Sequence, residues 1–159
     1  TMKDIVEACE ISRGGLYLYF ENTSQIFAEV LKLETEEADD VFSGSIAEDA
    51  TAVDILLLFL KEQKKEILRR KDTLTQAIYE YYFEHNLKKQ FDSAAKVIEK
   101  LIETGVDNGE FICDDCAGTA RNIMFVLEGL KISAQTTGIT SDVVDQELMY
   151  ILRGIGADD

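Results

Sequence analysis

Two cysteines spaced as C-x-x-C are the residues of this sequence whose spacing most directly suggests chemistry. Cys113 and Cys116 have the spacing of zinc ligands and of redox-active thiol pairs. A structural zinc ion needs four ligands, and the other soft donors are Cys9, far away in sequence, and His85, the single histidine. The pattern therefore favours cysteines without a metal or redox role, and we expect neither a metal nor a cofactor.

Motifs that would indicate an enzyme are missing from the sequence. It contains no P-loop, no H-E-x-x-H and no G-x-G-x-x-G that follows a strand. One histidine also limits the possible catalytic triads and metal centres. We therefore expect a protein that is not an enzyme.

An aromatic run before His85 could contact a small ligand. Tyr79, Tyr82 and Phe83 precede this histidine, which otherwise ends a helix favourably near the negative end of its dipole. Glu128 interrupts an apolar helical face, where a carboxylate is costly unless it is paired or at an edge. A pocket or interface and simple solvent exposure are both open for Glu128.

The elements that position these residues are predicted to be helices. The chain contains no proline, so nothing fixes φ or removes a backbone donor inside long helical stretches. The longest apolar run, Ile55 to Leu60, is too short to cross a bilayer. Three cysteines cannot all pair with one another, which suits a reducing compartment. We expect an all-α, cytoplasmic protein without membrane contact.

Capping residues predict three helices in the first part of the chain. Thr1 with Asp4 resembles a capping box, Ser12 is a good N-cap for a short second helix, and Asn22 or Thr23 caps a third. The third helix should end near residues 43–45.

Apolar residues at helical spacing predict five further helices. The first of these should be about six turns long, and its centre, ILLLFL, is apolar all round, which is typical of a central core helix. Gly105 and Gly109 are expected to mark the end of the third and the turn after it. The predicted helices cover about 53–68, 74–82, 87–101, 115–134 and 141–155.

A helix, a tight turn and a second short helix within residues 1–20 are typical of a helix-turn-helix motif. The residues from Thr1 to Phe27 closely resemble the signature of the TetR (tetracycline-repressor-like) family of transcription regulators. The matching residues are Ile11, Ser12, Gly14, Leu16, Tyr17, Tyr19, Phe20 and Phe27. The resemblance implies a helix-turn-helix domain in residues 1–32 and an effector-binding and dimerisation domain in residues 33–159.

The resemblance also implies which residues meet operator DNA. Arg13, Gly14 and Tyr17 would face base edges, and Lys3 would reach the groove from the preceding helix. An arginine fork can donate two hydrogen bonds to guanine, which makes Arg13 the strongest candidate. The positions implied to contact the DNA backbone are Thr1, Gly15, Tyr19 and Thr23. For Tyr17 and Tyr19, packing in the core is the alternative.

In the second domain the resemblance implies a ligand cavity and a dimer interface. The candidate ligand-binding residues are Phe59, Tyr79, Tyr82, Phe83, His85, Phe125 and Glu128. The family's last two helices build a four-helix dimer interface, and a purely intramolecular core is the alternative for them here. The residues that would supply the interface are Ala120, Ile123, Leu127, Leu130, Leu148, Ile151 and Leu152.

Several positions depart from the family pattern. Gly15 replaces a hydroxyl residue, Glu10 replaces the glycine of the turn, and Thr23 replaces a lysine that commonly meets a phosphate. The match begins at the family's second helix, so either a further helix before Thr1 lies outside this sequence or the helix-turn-helix domain is incomplete. We expect the former, because such a helix would cover the apolar residues of the first domain.

Net charge is the main observation against DNA binding. The chain carries a net charge of −15, whereas affinity for DNA comes largely from basic residues. Residues 1–32 hold three basic and five acidic side chains, so most of the acid lies in the second domain. The sequence predicts a homodimeric repressor that leaves double-stranded operator DNA when a small-molecule effector binds. The alternative is a dimeric helical ligand-binding or adapter protein without DNA binding.

Overall fold

A computed structural model describes residues 1–44, 46–69 and 73–157. All regular elements in these ranges are α-helices, so the all-α prediction is confirmed. The helices are α1 Met2–Cys9, α2 Arg13–Tyr17, α3 Thr23–Gly44, α4 Ala52–Ile67, α5 Thr73–Glu84, α6 Lys88–Asp107, α7 Cys116–Thr136 and α8 Ser141–Gly154. None of the described helices combines the length and apolar character needed to cross a membrane.

The chain forms two compact units, Thr1–Glu48 and Asp49–Asp159. We call them the first and the second unit. They divide later than the boundary predicted after residue 32, because α3 continues without a break to Gly44. The expected end of this helix is confirmed at Ser43 and Gly44, whereas Ser45 lies outside the described residues.

Side-chain caps determine where the helices of the first unit begin. The hydroxyl of Thr1 accepts the N–H of Asp4 at 3.3 Å, and Ser12 Oγ accepts the N–H of Gly15 at 3.0 Å. Asn22 Oδ1 accepts the N–H of Gln25 at 3.0 Å, which selects Asn22 over Thr23 as the cap of α3. The caps predicted for α1 and α2 are confirmed.

Glu10 occupies the turn between α1 and α2. Its backbone has φ 54° and ψ 34°, in the left-handed region where glycine is usual. The departure from the family pattern at this position therefore has a structural cost, since a side chain is held where L-residues are strained.

The core of the second unit lies among α4, α6, α7 and α8. Helix α4 packs against the other three, which confirms its predicted central place. Leu56 and Leu60 are buried, but Leu57 is 45% exposed, so α4 is not covered on all sides within the described chain. Helix α4 has 16 residues, about four and a half turns, and the expectation of about six turns was wrong.

Two polar contacts link α4 to distant parts of the second unit. Glu110 Oε2, in the connection between α6 and α7, accepts the N–H of Val53 in the first turn of α4 at 2.9 Å. At the other end of this helix, Lys64 Nζ lies 2.6 Å from Asp145 Oδ1 of α8.

Gly105 does not end α6, contrary to the sequence-based expectation. The helix continues to Asp107, and Gly109, with φ +74°, forms the turn. A Cβ atom at residue 105 would lie 2.1 Å from the ring of Phe111. Gly105 is therefore needed because this ring packs directly on the helix backbone.

Candidate nucleic-acid interface and ligand site

The outer face of α2 carries the residues predicted to read bases. Arg13 and Gly14 are exposed and Tyr17 is 42% exposed, whereas Leu16, between them, is 7% exposed and turned inward. Residue 17 lies four positions after residue 13 and three after residue 14, so its side chain is on the same side of the helix as each of them. The structure thus brings these three residues together on an open surface.

Arg13 and Tyr17 contact each other on this face. The guanidinium carbon of Arg13 lies 5.8 Å from the centre of the Tyr17 ring, within the range of a cation–π contact. This contact restricts the long arginine side chain while leaving its N–H donors open. At Gly14 an added Cβ would meet no atom within 4 Å, so the backbone there can approach another molecule closely.

The four positions implied to contact the DNA backbone differ in their surroundings. Tyr19 is 81% exposed, and Thr23 is exposed in the first turn of α3, where N–H groups favour anions. The hydroxyl of Thr1 donates to Asp4 Oδ2 at 2.6 Å. The N–H of Gly15 is bonded to Ser12 Oγ at 3.0 Å, and the phosphate contact implied at this position stays a prediction.

Two further observations complete the surface of the first unit. Lys3 is exposed on α1, with Nζ 3.9 Å from Glu7 Oε1. Leu18, between the two tyrosines, is 82% exposed, and the sequence reasoning assigned it no role. Helix α2 ends at Tyr17, so the spacing that turns Leu16 inward does not apply to Leu18. Recognising this helix end would have predicted that Leu18 is exposed.

In the second unit, α4, α5 and α7 contribute ionisable residues that act on one another electrostatically. We call Glu66, Tyr79, Tyr82, Glu128 and Lys131 the tyrosine–carboxylate cluster. The rings of Tyr79 and Tyr82 meet edge to face, with centres 6.2 Å apart. Of these five residues, the sequence predicted Tyr79, Tyr82 and Glu128.

Burial controls the proton affinities in the tyrosine–carboxylate cluster. It raises the pKa of Tyr79 to about 12, and the negative charge of Glu128 adds to this shift. The same two causes raise the pKa of Tyr82. Burial lowers the pKa of Lys131, although Glu128 and Glu66 oppose the shift. Sequence reasoning missed Lys131. It could have been found because it lies three residues after Glu128 on α7, on the same side of that helix.

The other four predicted ligand residues are not part of the tyrosine–carboxylate cluster. His85 stacks on Tyr81 with ring centres 3.9 Å apart, and its Nδ1 lies 2.8 Å from the Tyr81 carbonyl oxygen, as expected for a histidine that ends a helix. Phe125, 60% exposed, stacks on Phe91 of α6. Phe59 is half-buried against the core, and Phe83 is 84% exposed.

An open groove of about 630 Å³ lies at the start of α6. It is lined by Asn86, Lys88, Lys89, Asp92, Ser93 and Lys96. None of the seven predicted ligand residues lines it. Within the described ranges, no group of three or more histidine, cysteine or acidic residues is arranged to hold a metal ion.

The residues predicted for the dimer interface are buried within one chain. Each of the seven is at most 8% exposed and belongs to the core of the second unit: Ala120, Ile123, Leu127, Leu130, Leu148, Ile151 and Leu152. Their side chains are therefore not presented to a second copy, and this burial favours the intramolecular alternative for them. The pairing of the same two helices across a dimer stays a prediction.

The fold and the outer face of α2 define a class of protein, namely an all-helical protein whose first unit has helix-turn-helix geometry. Residues 1–30 match the model of bacterial regulatory proteins of the tetR family. Residues 55–145, more than half of the chain, match the tetracyclin repressor-like C-terminal domain. The chain belongs to the TetR family.

A relative from Bacillus subtilis (strain 168) agrees with this assignment. It is named as an uncharacterized HTH-type transcriptional regulator, YfiR, and is 30% identical over 119 residues. The aligned part covers 70% of this chain and 58% of the relative, so the chain spans little more than half of that protein's length.

Proposed function

We propose that this protein binds operator DNA as a homodimer and represses transcription until a small molecule binds its second unit. The observation that carries the proposal is the open face of α2, where Arg13 and Tyr17 are held together while Leu16 anchors the helix. A short helix with an inward apolar residue and an outward arginine is suited to the major groove.

On DNA, Arg13 would donate two hydrogen bonds to one guanine. Such a bidentate pair contributes about 1 to 3 kcal/mol of discrimination against other bases. Tyr17 limits the freedom of the arginine and adds a ring and a hydroxyl to the same face. Lys3, Thr1, Tyr19 and the first turn of α3 at Thr23 would contact phosphates, which positions the helix without reading sequence.

A second copy would dock on the exposed faces of α7 and α8. Val143, Met149 and Tyr150 of α8 are 41%, 40% and 63% exposed, and Phe125 of α7 is 60% exposed. These apolar side chains lie outside the core residues of the same helices, so they supply a surface that a partner can bury. The two recognition helices should then lie about 34 Å apart, one turn of DNA.

Small-molecule binding is assigned to the tyrosine–carboxylate cluster. Tyr79 is half-buried, Tyr82 is 41% exposed, and the exposed Glu128 acts electrostatically on both. Aromatic area combined with orienting polar groups is what ligand sites use. An effector that binds better to a dimer with wrongly spaced helices must lower DNA affinity by the same coupling free energy.

The test is a gel-shift assay with the full-length protein and DNA from upstream of its own gene. Arg13→Ala and Tyr17→Ala are each expected to weaken binding by about tenfold to a hundredfold, the equivalent of the lost base contacts. Lys100→Ala is the control, because this basic residue is exposed on α6 of the second unit, away from the proposed docking faces of α7 and α8. Equal binding by all four proteins would contradict the DNA-binding proposal and favour a ligand-binding or adapter role.

A further inference from the structure

Cys113 and Cys116 lie together at the connection between α6 and α7, outside the sites described above. Cys116 is the first residue of α7, and both thiols are free and partly exposed. Cys113 Sγ lies 3.3 Å from Thr119 Oγ1 in the first turn of α7. The fold thus places both cysteines of the C-x-x-C motif at the start of the same helix.

The surroundings of Cys116 favour its protonated form. Burial raises the pKa of the Cys116 thiol, and the hydrogen bond with Cys113 adds to this shift, as do Glu103 and Asp115. Cys116 therefore holds its proton more strongly than a free thiol, and we expect it to react second.

We propose that Cys113 and Cys116 form a reversible intramolecular disulfide by exchange with low-molecular-weight disulfides. Cys113 loses its proton to solvent, and its thiolate attacks one sulfur of the small disulfide, forming a mixed disulfide and releasing one small thiolate. Cys116 then loses its proton to solvent, and its sulfur attacks Cys113 Sγ and releases the second small thiolate. The protein loses two electrons and two protons, and the small disulfide is reduced to two thiols.

The position of the pair gives such a bond a structural consequence. The N–H of Ile112 donates to the carbonyl oxygen of Ile155 at 2.9 Å, after the end of α8. Glu110, three residues before Cys113, accepts the N–H of Val53 in α4. A disulfide here would fix the start of α7 to the segment that contacts both α4 and the end of α8.

The experiment uses the folded protein with Cys9→Ser, followed by alkylation and mass measurement. The probe is hydroxyethyl disulfide, which is uncharged and is not repelled by Asp114 and Asp115 beside the pair. We expect both remaining thiols to become resistant to alkylation while the mass falls by two hydrogen atoms. Adding Cys113→Ser or Cys116→Ser should instead leave one stable mixed-disulfide adduct. The protein with Cys9 intact is the reagent control, because the exposed Cys9 should form an adduct under the same conditions.

Ring closure in the folded protein is expected to be at least about tenfold faster than in urea, since the fold places both cysteines at the start of α7. Two separate adducts without closure would overturn the proposal, as would two unreacted thiols when Cys9 reacts. Disulfide closure at the same rate in urea would also overturn the proposal. It would mean that residues 113–116 react in the same way without the folded structure.

Discussion

The two units of this chain are stabilised by different means. Among the described side chains of the first unit, Leu16 is the buried one, and its helices begin at side-chain caps from Thr1, Ser12 and Asn22. Among the described residues of the second unit, sixteen buried apolar side chains form one connected core. Caps contribute about 1 kcal/mol each, whereas a buried aliphatic side chain contributes about 2 to 3 kcal/mol. The difference teaches that the first unit leaves most of its side chains exposed, where another molecule can contact them, whereas the second unit buries a large set of apolar side chains against one another.

The largest effect that separates the units is expected from Ile102→Ala. Ile102 is fully buried on α6, so its truncation leaves a cavity and should lower the free energy of unfolding by about 2 to 5 kcal/mol. Val97→Ala, at a 72% exposed position of the same helix, should change it by less than about 0.5 kcal/mol. Urea denaturation followed by circular dichroism measures both. Similar small effects would show that this core does not stabilise the second unit.

Gly105→Ala should give the next largest loss. The new methyl group would overlap the Phe111 ring, and relieving this overlap should cost about 1 to 3 kcal/mol. Gly129→Ala is the matched control, since its Cβ on α7 meets nothing within 4 Å and should raise stability by about 0.5 to 1 kcal/mol. Thermal unfolding of the two variants should therefore shift in opposite directions, and a shared direction would argue against the packing of Phe111 on α6.

In the first unit, two changes of glutamate to glycine should also have opposite signs. Glu10→Gly relieves the left-handed backbone and should stabilise α1 by about 0.5 to 1 kcal/mol. Glu7→Gly, inside α1, should destabilise it by a similar amount. Hydrogen exchange of the α1 amides measures this unit separately from the core of the second. A loss of protection in Glu10→Gly would show that the turn is not strained.

The smallest effect is expected at high pH. The pKa of Tyr79 is raised to about 12 in the fold from 10.0, so the unfolded chain ionises first. Its contribution to stability is complete below pH 10.0 and is lost as the pH rises toward about 12. Tyr79→Phe should flatten this decline in urea titrations across the same range. Identical profiles for the wild-type protein and the variant would mean that Tyr79 is solvated.

Features encoded by neighbouring residues could be predicted from the sequence, and features that depend on distant contacts could not. Thr1, Ser12 and Asp115 act on backbone groups three residues away, so their helix starts follow from the sequence. The inward and outward positions of Leu16 and Tyr17 follow from helical spacing in the same way.

Gly105 shows what sequence spacing leaves out. A glycine near an expected helix end is typical of a stop, but here the deciding atom is the Phe111 ring that packs on it. Lys131 was missed because its partial burial depends on packing by other helices and not on residues beside it. The seven residues predicted for the dimer interface illustrate the same limit, since an apolar helical face does not reveal which helix will cover it.

The hydrogen bond from the Val53 N–H to Glu110 Oε2 couples the beginning of α4 to the connection before α7. A ligand that pushes α4 along its axis must either carry this connection with it or break a charged hydrogen bond, at a cost of about 1.5 to 3 kcal/mol. Motion of α4 would therefore move the segment that holds the two cysteines and contacts the end of α8. Only an effector that binds strongly enough to break this hydrogen bond could move α4 independently of that segment.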